Sequence, residues 1–151
     1  MFTQVLLIAL SLIPAGASTG FTDHRGREIL KTNVCGAGTY ADVKSGVPYV
    51  NVDTCSLSKL PRVVATWVQL HEVSHHLLGH LDLPKITKLE EAQADCLALS
   101  LMKHHGDLSK AKLERLGTYL TKIPGDATHE PGPIRFLNAL GCSLLLTGDS
   151  K

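Results

Sequence analysis

Five consecutive residues, His71-Glu72-Val73-Ser74-His75, carry the most legible chemistry in this chain. Side chains four apart on a helix lie one above the other on a single face, so His71 and His75 can aim their imidazoles at one metal ion. Glu72 is not needed as a ligand and is free to take a proton from a water activated by that metal. The pattern H-E-x-x-H therefore predicts metal-assisted hydrolysis. The plainer reading is an amphipathic helix with two surface histidines.

A third ligand decides what kind of centre this is. One class of zinc enzyme continues H-E-x-x-H-x-x-G-x-x-H. Here the continuation is His76-Leu77-Leu78-Gly79-His80, with Gly and His each one position out of register. A turn at Gly79 leaves no residues to bring His80 round, so His76 and His80 are expected to be helix-end and loop residues. Glu91 is the better candidate. It lies four residues before Asp95, on the same helix face, among the small residues Ala92, Ala94 and Cys96. A carboxylate at Glu91 would complete a His-His-Glu zinc site with its fourth position open. Asp95 could then hold a ligand histidine by its other ring nitrogen. The competing reading is a solvated acidic face near a helix N-terminus, which the dipole favours.

The elements that must position these groups are readable too. Ser58-Lys59-Leu60-Pro61 looks like a helix start, with Ser as cap and Pro in the first turn. Leu60, Val63, Val64, Trp67, Leu70, Ser74, Leu77 and Leu78 then recur at helical spacing, and Gly79 can end the helix. Thr87-Lys88-Leu89-Glu90 is a capping box opening the ligand helix, which should run to about His104 or His105 before Gly106. Ser109 to Thr121 and Pro133 to Leu146 predict two further helices. Before the motif, Glu28 to Val34 reads as a strand, and Thr39–Val43 and Val47–Val52 flank Lys44-Ser45-Gly46 as a hairpin. Tyr40 and Tyr49 in that hairpin suit core, substrate contact or surface equally well. The expected class is α+β: a small antiparallel N-terminal sheet, then about four helices.

Taken in order, His71-Glu72-x-x-His75 and Glu91-x-x-Ala94-Asp95 resemble the gluzincin metallopeptidases. Within that group the chain is most similar to the HtpX and CAAX-prenyl-protease family and to the small soluble minigluzincins. A further element agrees in spacing: Thr128-His129-Glu130-Pro131, then Arg135-Phe136, with the Pro displaced by one and Phe where an aliphatic residue is usual. The resemblance runs from about Leu60 to Leu140. It implies a zincin-like arrangement, with H-E-x-x-H on the first long helix and the Glu ligand on the next. It implies zinc on His71, His75 and Glu91, with Glu72 as general base and Asp95 in support. It implies that His129 sits near the site to stabilise an oxyanion, and that Arg135 holds the local structure. The membrane peptidases of that family carry several long apolar segments, which the mature chain lacks. A stand-alone zinc metalloendopeptidase acting on a peptide or protein is implied, rather than one taking a prenylated membrane substrate.

The 151 residues fit one domain. Val5 to Ile13 form a short apolar run followed by Ala15-Gly16-Ala17, which reads as a secretory signal peptide cut after Ala17. That leaves residues 18–151 as a single peptidase domain, secreted or periplasmic, with no membrane attachment once the signal is gone. The alternative is a buried first element. In an oxidising compartment the four cysteines argue for two disulfides, among three pairings. Cys35 with Cys55 and Cys96 with Cys142 is preferred, against a buried free thiol at Cys96. A net charge of +1, with basic residues scattered, gives no support to nucleic-acid binding. Oligomeric state stays open. Two other functions compete: a secreted zinc-containing domain that binds a peptide or partner without cutting it, with His80 or His129 as fourth ligand, and a metal-free disulfide-bonded helical domain.

Overall fold

The computed structural model describes residues 16–146. The apolar run of the expected signal peptide lies outside the described residues; only Gly16 and Ala17 of that segment fall within them. Four strands come first: β1 (Ala17–Thr22), β2 (Glu28–Asn33), β3 (Tyr40–Lys44) and β4 (Val47–Val52). Five helices follow: α1 (Thr54–Leu57), α2 (Arg62–Leu77), α3 (Lys88–His104), α4 (Lys110–Leu120) and α5 (Gly132–Leu146). A 3-10 turn, His80–Asp82, lies between α2 and α3. The class is α+β, as expected.

The sheet corrects one expectation. Its order is β1-β2-β4-β3, and β2 pairs with β4 in parallel, so the sheet is mixed rather than antiparallel. The hairpin forms as predicted, with Ser45 (φ 52°) and Gly46 (φ 79°) in the left-handed region at its turn. It docks through its second strand. β4 carries the buried Val50 and Val52 and takes the interior place, leaving the more polar β3 at the edge. The 34–39 loop that permits this crossing is held by one carboxylate. Asp53 accepts hydrogen bonds from the backbone N–H groups of Gly36, Gly38 and Ser56. The Cys35–Cys55 disulfide ties the same loop to α1.

A second correction concerns the start of the motif helix. Ser58 does not cap it. Asp53 caps the short α1, Ser58 follows that helix, and Pro61 is itself the N-cap of α2. The reason is local: a Ser58 cap would need the N–H of residue 60 or 61, but Leu60 N–H already donates to the Leu57 carbonyl and Pro61 has none. The other boundaries agree with expectation. Gly79 (φ 73°) ends α2, the Thr87–Glu90 capping box opens α3, and Gly106 (φ 73°) closes it.

Helix α2 is the central element. One side packs Val73 against Ile29, Val50 and Val52 of the sheet. The other side packs Val63, Val64 and Trp67 against Ala98, Leu99 and Met102 of α3 and Leu116 and Leu120 of α4. Fully burying a side chain such as Val64 or Leu99 contributes about 1.5–3 kcal/mol. Ala94 and Ala98, both fully buried, let α3 come close to α2. The Cys96–Cys142 disulfide fastens α3 to α5. Among the described residues no helix is long and apolar enough to cross a membrane. Two disulfides suit an extracellular or otherwise oxidising compartment.

Candidate metal centre

Where α2 crosses α3, three side chains from the predicted set meet. His71 and His75 on α2 and Glu91 on α3 are all buried, and their ligand atoms lie within 4.8 Å of one another. His71 Nε2 is 3.0 Å from Glu91 Oε2, His75 Nε2 is 3.1 Å from His71 Nε2, and His75 Nε2 is 3.6 Å from Glu91 Oε2. Ligands about 2.0–2.2 Å from a tetrahedral zinc are about 3.3–3.6 Å apart, so one edge of this triangle matches a face of such a site and the other two are shorter by a few tenths of an ångström. Its electrostatics also ask for a cation. Both Nε2 atoms and the carboxylate oxygen bring lone pairs to one point, an arrangement that is repulsive unless a proton or a metal ion lies among them. The group could hold a metal ion.

The rings are aimed by groups behind them. Asp95, 1 % exposed, accepts from His71 Nδ1 at 2.8 Å. Arg135 on α5 clamps the same carboxylate with Nε and Nη2, both at 2.7 Å. The guanidinium also lies 5.0 Å from the centre of the Trp67 ring, on the same helix as the histidines. Burial disfavours a charged His71, but hydrogen bonds to Asp95 and Glu91 outweigh it and raise its pKa to about 9. Burial likewise disfavours charge on Glu91 and Asp95. For Glu91 the hydrogen bond from His71 and the closeness of both imidazoles win, for Asp95 the hydrogen bonds from Arg135 and His71, and both carboxyls are lowered.

Glu72 stands beside the triangle without belonging to it. Its Oε2 accepts the backbone N–H of Ala41 on edge strand β3 at 2.9 Å. Burial raises its pKa above the ordinary carboxylate value. The remaining predicted residue, His129, comes from the 124–131 loop and places Nε2 3.0 Å from Glu91 Oε2. The structure thus brings His71, Glu72, His75, Glu91, Asp95, His129 and Arg135 together. Both preferred cysteine pairs form, Cys35–Cys55 and Cys96–Cys142, so Cys96 is not a free thiol.

No protein-family model matches this chain, and no curated protein or solved structure is detectably similar to it.

Sequence reasoning overlooked Asp126 and did not foresee what His80 and His76 do. His80, expected as a loop residue, is 3 % exposed and lies against His75, Nδ1 to Nδ1, at 3.0 Å. Its only sequence signal was the left-handed Gly79 before it, which folds the chain back under α2. Asp126 was overlooked. Its carboxylate accepts the backbone N–H groups of Thr128 and His129 and contacts His129 Nδ1 at 3.0 Å, which orients that ring. The spacing Asp126-Ala127-Thr128-His129 is an Asx-turn pattern that could have flagged it. His76, expected at the helix end, is also buried and hydrogen-bonds the Tyr49 carbonyl at 2.8 Å, tying α2 to β4. His80 also lines an apolar groove of about 730 Å³, together with Leu78, Leu83, Leu97 and the Cys96–Cys142 bridge.

Proposed function

We propose that this protein is an exported zinc metallopeptidase with a zincin-like site, similar to the gluzincins and, among them, to the HtpX and CAAX-prenyl-protease family and the minigluzincins. The observation that carries the reading is the buried His71–His75–Glu91 triangle with a carboxylate, Glu72, beside it but held off it by Ala41. Two imidazoles and one carboxylate are a donor set that suits zinc. When bound there, zinc would supply Lewis acidity for attack of water on a peptide carbonyl.

The chain's own groups divide the remaining work. Glu72, its pKa raised by burial, takes the proton from the attacking water and returns it to the leaving amine. Asp95 and Arg135 hold His71 in place. His129, oriented by Asp126 and 3.0 Å from Glu91, would stabilise negative charge developing on the substrate oxygen. The outer edge of β3 leads past Glu72, and Ala41 and Val43 both turn their N–H groups to side chains rather than to β4. A peptide substrate would lie along this edge as an added strand.

A zinc-containing domain that only binds would keep the same ligands but give Glu72 nothing to do. The test is Glu72→Gln. The variant should bind zinc like the parent and lose about 10²–10⁴-fold in hydrolysis of a degenerate peptide library. Parent-level, chelator-sensitive cleavage by that variant would overturn the assignment.

A further inference from the structure

To hold a metal, His71 and His75 must each present an unprotonated Nε2, so each ring must carry its proton on Nδ1. For His71, Asp95 ensures this, because a carboxylate 2.8 Å from Nδ1 can only accept. His75 has no carboxylate there. Its Nδ1 faces Nδ1 of His80 at 3.0 Å, and either nitrogen could be the donor. The direction is set one step further out. His80 Nε2 is 3.0 Å from Gln93 Oε1, an acceptor, so Nε2 of His80 carries that ring's proton. His80 Nδ1 is then a lone pair and His75 Nδ1–H donates to it. The Nε2 of His75 is left open towards His71 and Glu91. Turning the Gln93 amide over would reverse every bond in the row and aim an N–H of His75 at the centre.

We propose that His80 and Gln93 are positioning residues for His75: their hydrogen-bonded row selects the tautomer in which His75 can bind a metal. The local fold is built for it. Left-handed Gly79 turns the chain so that His80 is buried under α2, and Gln93 on α3 closes the row from the exposed side. A residue that only filled space would need no nitrogen in line with His75 Nδ1 and no acceptor beyond it. The proposal rests on the metal centre inferred above.

Two readouts test it. Nitrogen-15 NMR of histidine-labelled, chelator-treated protein at about pH 8 reports which ring nitrogen carries the proton in neutral imidazole. Competition with a chelating dye gives the zinc Kd. The parent protein should show His75 protonated at Nδ1. His80→Leu should weaken zinc binding about 10–100-fold and shift His75 towards the Nε2–H form. His80→Asn puts an amide oxygen where Nδ1 stood and should recover most of the loss. Gln93→Leu, at an exposed position that leaves the core intact, should by itself give mixed His75 tautomers and weaker zinc binding. That variant decides the matter if His80→Leu does not fold. An Nε2–H form of His75 in the parent, or parent-like Kd and tautomer in Gln93→Leu, would overturn the proposal. If the parent binds no zinc at all, the metal-centre reading fails, whereas the NMR result still decides the direction of the row.

Discussion

Asp95→Asn is the most informative single substitution, because one carboxylate serves two partners. Asp95 Oδ1 accepts from His71 Nδ1 and Arg135 Nη2, and Oδ2 accepts from Arg135 Nε. An asparagine of the same shape can keep the Oδ1 contacts, but its amide then points a donor at a donor, Arg135 Nε. It also removes the negative charge facing both His71 and the guanidinium. Losing one charge-assisted bond and leaving Arg135 uncompensated should cost about 2–4 kcal/mol in chelator-treated protein, a drop of about 6–15 °C in Tm for a chain of this size. Zinc affinity should fall about 10–100-fold, since the ring of His71 is less firmly aimed and less basic. Melting curves with and without zinc, together with dye competition, separate the two effects. A variant that melts lower yet binds zinc within about twofold of the parent would refute the argument that Asp95 acts on the metal through His71.

Other consequences are as direct. In zinc-free protein His71 is raised from 6.5 to about 9, so the stability it contributes is fully present below pH 6.5 and is lost as pH rises through 9. Tm of chelated protein should therefore fall across that window. Zinc added near pH 7.5 should release about one proton per ion, read by calorimetry in buffers of different ionisation enthalpy; zero release would contradict it. Removing the Cys96–Cys142 bridge by paired Ala substitution opens a loop of 46 residues, against 20 for Cys35–Cys55. The expected losses in a urea titration are about 4 and about 3 kcal/mol respectively, and the reverse order would show that loop entropy is not the main term. Gly132→Ala would drive a Cβ into the backbone carbonyl of Leu120 at the start of α5, the helix that carries Arg135. Overpacking against backbone should cost about 3 kcal/mol and weaken zinc binding as well, whereas a parent-like Tm would rule the clash out.

Legibility divided along the range of the interactions. His71 and His75 share a helix face because of a fixed 3.6-residue turn, with Glu72 about 100° round from His71, and that was readable from five letters. The same holds for the Thr87–Glu90 capping box, the stops at Gly79 and Gly106 and the turn at Ser45-Gly46, each decided by the energies of a few neighbouring residues. Even Glu91 and Asp95 were readable as a pair, since four residues separate them on one helix.

Tertiary structure alone decided the rest. Parallel pairing of β2 with β4 depends on which strand of the hairpin has the more apolar surface to bury, once the 34–39 loop is pinned to Asp53. The Arg135 clamp on Asp95 joins residues 40 apart in sequence, and His80 reaches Gln93 across the α2–α3 junction. Such contacts have no local signature: their free energy is gained only after distant segments have been brought together, and nothing in the neighbouring residues records it. The sequence by itself determined which atoms could bind a metal. The packing of α3 and α5 against α2 determined which way their lone pairs face.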